Sequence, residues 1–220
     1  MAKIQLVIFD FDGTLVDTAP DLIRSTNLYM KSKGFDSIPE ARIRADIGMG
    51  LRKLILDVYP GEHSGKAKLE REIERDFTAL YEKEFLKTPM LYPGVLEFLL
   101  EYDRKIAIVS NKRERFIHPI LKKLEIADLP WVKVIGGDTY PNMKPHPEPF
   151  MNAMGAAGVD IEETLIVGDG IPDIEGALTL GCPSVAVDFG YSPVDVLMDI
   201  GAWKSISHFA ELNPLIQSIT

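Results

Sequence analysis

This 220-residue sequence predicts an α/β fold: an open parallel sheet, with a block of helices inserted after its first strand. Three observations carry that reading. An apolar run over residues 4–9 ends abruptly in Asp10 and Asp12. Residues 18–88 show helical periodicity without a convincing strand. From Met90 onward, short β-branched runs alternate with helical segments, the pattern of parallel strands joined by right-handed crossovers.

The first run, Ile4-Gln5-Leu6-Val7-Ile8-Phe9, is apolar nearly throughout and suits a strand covered on both faces. It delivers two carboxylates, spaced i, i+2, to the edge of a parallel sheet where ligands are usually bound. Such close acids repel each other unless a cation or a proton intervenes. Hard oxygen ligands on a short loop suit magnesium. A calcium loop fails on spacing, because Leu15 stands where that loop needs glycine and Asp21 where it needs a bidentate glutamate.

In the insert, helical segments are expected at 21–33, 39–46, 51–59 and 64–87. In the last, Leu69, Ile73, Phe77, Leu80, Tyr81 and Phe85 form one apolar stripe. Further strands are expected at 105–109, 132–135, 164–167 and 184–187, with helices at 95–102, 115–124, 147–157 and 173–180. The expected organisation is a core of residues 1–17 and 89–220 with a helical domain of residues 18–88, hinged near 16–18 and 88–93.

Net charge is −9, from 24 Lys and Arg against 33 Asp and Glu. That balance disfavours nucleic acid or an anionic membrane as partner. The insert carries +1, leaving −10 on the rest, so the two parts differ electrostatically. One cysteine, Cys182, excludes an internal disulfide and a thiolate-rich zinc site, and the four histidines lack metal-ligand spacing. With no apolar stretch of membrane-spanning length and no secretory signal pattern, the expectation is a cytoplasmic protein, monomer or homodimer.

Polar residues follow three of the later strands: Ser110-Asn111 after Val109, Gly136-Gly137-Asp138 and then Lys144 after Ile135, and Gly168-Asp169 through Asp173 after Val167. Taken singly, these are ordinary helix caps and solvated charges. Parallel strands end on one edge, however, so together they converge on Asp10 and Asp12. The set suits phosphoryl transfer, in which positioning and charge neutralisation do most of the catalysis. Asp10 suits a carboxylate nucleophile, and Asp12 an acid that protonates the leaving oxygen and then activates water. Asp169 adds a carboxylate for a metal shared with Asp10 and the backbone carbonyl of Asp12. Lys144 supplies positive charge. Ser110 and the backbone near Asn111 and Phe11 to Gly13 suit phosphoryl oxygens, with Thr14 and Asp173 in support.

These four segments, Asp10-Phe-Asp12-Gly-Thr-Leu-Val-Asp17, Ser110-Asn111-Lys112, Lys144-Pro-His-Pro147 and Gly168-Asp169 through Asp173, resemble the four motifs of the haloacid dehalogenase superfamily in its phosphatase branch. The resemblance implies a Rossmann-like core with an α-helical cap, Mg2+ dependence and an aspartyl-phosphate intermediate. Asp12 argues against the dehalogenase branch, which has a non-acidic residue there. Within the superfamily the likeness is to phosphoglycolate phosphatases, carried by Leu15 through Asp21, Tyr92-Pro-Gly-Val95, Ile135 through Asp138, and Ala177 through Ser184 with Gly190-Tyr191. Pyrophosphatases, sugar-phosphate phosphatases and phosphomutases share part of that pattern, and a non-catalytic phosphate-binding protein could keep the fold. Gly170 departs from the family, which more often has a hydroxyl residue there. A small phosphorylated metabolite such as phosphoglycolate needs a cation for its carboxylate, and Arg52 or Lys53, at the end of the insert loop Ile47-Gly-Met-Gly-Leu51, is the expected source.

Overall fold

The computed structural model of the chain describes residues 3–219. In chain order the elements begin with β1 (Leu6–Phe9), β2 (Val16–Asp17), α1 (Ala19–Ser32), α2 (Glu40–Ala45), α3 (Leu51–Val58) and α4 (Ala67–Tyr81). There follow β3 (Met90–Leu91), α5 (Val95–Glu101), β4 (Lys105–Val109), α6 (Glu114–Lys123), β5 (Trp131–Ile135), α7 (Glu148–Ala157) and β6 (Thr164–Gly168). The last are α8 (Ile171–Leu180), β7 (Ser184–Val187), α9 (Val194–Ile200), β8 (Lys204–Ile206) and α10 (Leu212–Gln217).

Six strands form one parallel sheet in the order β5-β4-β1-β6-β7-β8. All four β1 residues are buried, as expected of a strand sandwiched between helical layers. Val7 and Phe9 face one layer with Ile108 and Val167. Leu6 and Ile8 face the other, against Phe150 and Met154 of α7. Register places Phe9 beside Ile108 on one side and Val167 on the other, so the carboxyl ends of β4, β1 and β6 open side by side. The Rossmann-like α/β class read from the sequence is therefore the fold observed.

The insert packs α1 and α3 against α4, whose Ile73, Phe77 and Tyr81 are buried at i, i+4 and i+8. Residues 64–87 do not make one helix. Gly65 takes a positive φ of 75° and the helix begins at Ala67, leaving Leu69 exposed. Beyond Tyr81 the chain turns, and Phe85 still packs on Phe116 of α6 at 5.0 Å between centroids. The first helix starts at Ala19, ahead of the expected Asp21, because Pro20 is well placed in a first turn. The two expected hinge connections pair as a short antiparallel ribbon, β2 with β3. Strand β8 and helices α9 and α10 were not expected; β8 is an edge strand in which only Ile206 is buried. No helix of the described residues is long and apolar enough to cross a membrane.

Candidate active site

Asp10 leaves the end of β1 with its Oδ1 held from two sides. The backbone N–H of Phe11 donates to it at 2.6 Å, and Lys144 Nζ stands 2.8 Å away. Lys144, on the segment after β5, also donates to Asp173 Oδ1 at 2.6 Å. Asp169, just past β6, accepts from Thr14 Oγ1 at 2.9 Å and from the Tyr191 N–H at 2.8 Å. Asp173 opens α8 and accepts from the Gly170 N–H at 3.1 Å, the reciprocal bond that favours an acid at that position. A Cβ at Gly170 would lie 3.2 Å from Asp173 Oδ2, so the hydroxyl residue that the resemblance leads one to expect there would need that carboxylate to give by a few tenths of an ångström.

Carboxylate oxygens of Asp10, Asp169 and Asp173 lie within 4.8 Å of one another, and all three residues are buried. Burial first, and then the neighbouring Asp10, hold the Asp169 carboxyl well above the usual carboxylate range. The same causes push Asp173 up to about 7, against the pull of Lys144. For Lys144 burial works downward, but Asp10 and Asp173 outweigh it and keep the ammonium charged. Three acids against one ammonium leave an excess of negative charge on hard oxygen donors. That donor set fits a divalent cation of the magnesium type. Asp10, Asp169 and Asp173 would hold the ion, so Asp173 joins the set expected from the sequence.

The carboxylate of Asp12 is not part of that cluster. Its Oδ1 accepts from Thr18 Oγ1 at 2.5 Å and from Lys112 Nζ at 2.9 Å, and its Oδ2 accepts from the same ammonium at 3.3 Å, so both carboxylate oxygens face away from the cluster and its backbone oxygen is the atom left to offer a metal. Lys112 also donates to the hydroxyl of Tyr81, from α4, at 2.9 Å. In the sequence, Lys112 figures within the second motif but carries no expected role. The available signal was position: it stands as far beyond β4 as Asp12 stands beyond the adjacent β1.

Other expectations resolve differently. Gly13 contributes by lacking a side chain, with its φ at +84°; its N–H donates to Val16 O at 2.9 Å and is not available to a ligand. The Asn111 amide donates to Gly48 O at 3.0 Å and Lys144 O at 3.1 Å, tying the insert loop to the lysine segment. Ser110 is buried and lines a small cavity of about 30 Å³ with Asp12, Lys112 and Tyr81. Arg52 does not reach that cavity. It is half-exposed, and its guanidinium is spent on Glu70 at 2.7 Å and Glu74 at 2.6 Å. Lys53 pairs with Asp57, one turn along α3.

Comparison with known proteins agrees with this geometry. The phosphoglycolate phosphatase of Nitrosococcus oceani is 34% identical over 193 residues, covering 86% of this chain and 85% of its own length. That of Yersinia pseudotuberculosis is 34% identical over 219 residues, covering 97% and 93%. The crystal structure of a predicted phosphoglycolate phosphatase from Haemophilus somnus superposes with a TM-score of 0.86 at 28% identity, over 98% of this chain and 99% of that one. The sequence model of the haloacid dehalogenase-like hydrolases matches residues 7–187, from β1 to the end of β7. Because that span holds every acid and lysine of the site, the chain belongs to the haloacid dehalogenase-like hydrolase family.

Proposed function

We propose that this hydrolase is a magnesium-dependent phosphatase acting on a small phosphate monoester, 2-phosphoglycolate, through a phosphoryl group carried on Asp10. The observation that supports it is the separation of two acids only two residues apart. Asp10 lies with Lys144 in the carboxylate cluster, while Asp12 turns toward the cavity beneath the insert.

In the first half-reaction a carboxylate oxygen of Asp10 bonds to phosphorus as the ester P–O bond breaks, and the Asp12 proton passes to the departing oxygen. In the second, Asp12 takes a proton from water whose oxygen bonds to the same phosphorus, the bond to Asp10 breaks, and phosphate leaves. Lys144 holds the Asp10 carboxylate in place and offsets charge on the phosphoryl oxygens, which Ser110 also meets. Bound at Asp10, Asp169 and Asp173, magnesium supplies charge neutralisation. The helical insert, residues 18–88, acts as the lid that excludes water.

The test is a screen of small phosphate esters with wild type and Asp10→Asn, with and without a chelator. Phosphate release should need the divalent ion and fall by about 10⁴-fold or more in the variant, as when a nucleophile is removed. An Asp10→Asn protein as fast as wild type would sink the assignment.

A further inference from the structure

We propose that Lys112 and Tyr81 form the subsite for a carboxylate on the leaving group, so that the enzyme selects phosphate esters of small hydroxy acids; this rests on the phosphatase reading above.

The lysine and the tyrosine come from opposite sides of the cavity. Lys112 follows β4 in the core, and Tyr81 ends α4 in the insert. The Lys112 side chain is 5% exposed and Tyr81 is 1% exposed. An ammonium has three protons. Asp12 engages them through Oδ1 at 2.9 Å and, at a longer 3.3 Å, through Oδ2, and the Tyr81 oxygen does so at 2.9 Å. Among the described residues no acceptor takes the hydroxyl proton of Tyr81, whose oxygen already accepts from Lys112. One buried donor is thus left over, beside an ammonium with one long contact, on the wall of a cavity whose other walls include Leu22, Leu54 and Phe116. A planar anion with two oxygens takes the Tyr81 proton with one and displaces the long Asp12 Oδ2 contact with the other.

Electrostatics keeps both groups in donor form. Burial pulls the Lys112 ammonium downward, but Asp12 and Tyr81 more than offset it and hold it above the ordinary lysine range. Burial pushes the Tyr81 hydroxyl up to about 12. Other cations nearby are already committed: Arg113 also lines the cavity but pairs with Glu74, and Arg52 pairs with Glu70 and Glu74. A second acid on the wall, Asp46, stands 3.5 Å from Arg42, and burial pushes its carboxyl up toward the neutral form.

Reach also fits. In a glycolate ester a single methylene separates the oxygen that Asp12 protonates from the carboxylate carbon. Lys112 Nζ is a hydrogen bond away from Asp12, so a substrate seated on the acid brings its carboxylate to the ammonium. Because Tyr81 belongs to the insert, an anionic leaving group would also reward the closed arrangement of insert and core.

The test compares phosphoglycolate with 2-hydroxyethyl phosphate, which has a neutral alcohol in place of the carboxylate, in wild type, Lys112→Met and Tyr81→Phe. Wild type should favour phosphoglycolate. Lys112→Met should shrink that preference by about 100-fold, mainly through KM for phosphoglycolate, and Tyr81→Phe by about tenfold, the scale of lost hydrogen bonds to a charged group. Tyr81→Phe keeps the ring and the fold, so the subsite stays testable if the lysine variant melts early. Equal losses on both esters would overturn the proposal and leave Lys112 as a positioning residue for Asp12. Wild type that hydrolyses 2-hydroxyethyl phosphate as well as phosphoglycolate overturns the carboxylate subsite alone. Hydrolysis of neither overturns the phosphatase reading with it.

Discussion

Asp169 owes its placement to two glycines as much as to its hydrogen bonds. A Cβ on Gly13 or on Gly190 would fall inside the Asp169 side chain. At Gly13 the positive φ adds backbone strain, whereas Gly190 isolates the steric effect. Gly190→Ala should displace the carboxylate by a fraction of an ångström to an ångström and cost about a hundredfold in kcat, the penalty expected of misplacement on that scale. A divalent-ion titration of activity should show weakened affinity in the same variant. Asp10, Asp12 and Asp169 were legible because each is a charged residue just past the end of an apolar run, which bulk packing does not explain, and Lys144 and Asp173 because they follow in order on the segments beyond such runs. Lys112 was not legible, because a lysine flanked by Asn111 and Arg113 reads as a polar loop until the neighbouring strand and α4 bury it. Arg52 misled for the converse reason: its partners, Glu70 and Glu74, lie on a different helix.

At the scale of elements, the insert is fastened where it leaves and rejoins the core. Asp21, fully buried in the first turns of α1, accepts from the Thr88 backbone N–H at 3.0 Å, from the Thr88 hydroxyl and from Arg24 Nη2 at 2.5 Å. Arg24 reaches on to Glu84 at 2.9 Å. Asp21→Ala removes the shared acceptor of the Thr88 N–H and hydroxyl and frees the guanidinium. It should lower unfolding free energy by about 2–4 kcal/mol, less than a fully buried pair because Arg24 remains partly solvated. Urea denaturation followed by circular dichroism checks it; a variant within about 0.5 kcal/mol of wild type, the range of neutral surface changes, would contradict it. Helix and strand type were legible from period alone in the long segments. Residues 204–206 escaped, because three residues with one apolar side chain carry no period, and only docking against β7 makes them a strand.

For the molecule as a whole, five of the seven tyrosines, Tyr29, Tyr81, Tyr92, Tyr102 and Tyr191, have hydroxyls raised above their ordinary range, burial being the leading cause for each. Tyr81 and Tyr102 reach about 12. Folding therefore favours the protonated form. The associated stability is complete below the unfolded value of about 10 and drains away as pH climbs through the folded values. Alkaline titration followed by tyrosinate absorbance should show these rings ionising together with unfolding, with stability falling steeply above pH of about 10. Smooth ionisation of all seven rings in a still-folded protein would refute it. The layered architecture was legible at this scale because alternation of strands and helices dictates it; the seating of the insert on α6 through Tyr81, Phe85 and Phe116 depends on tertiary contact that no local pattern encodes.

Strand β1, early in the chain, sits between two partners made much later, Leu6 pairing with both Lys105 and Thr164. During translation this greasy segment waits without neighbours on either edge while helices emerge behind it, exposed to the kind of association that chaperones suppress. Asp10, at its tip, lacks its site partners Lys144, Asp169 and Asp173 for the same interval. A polypeptide released before the sixth strand would carry Asp10 yet have no formed pocket, so incomplete products of synthesis are chemically silent.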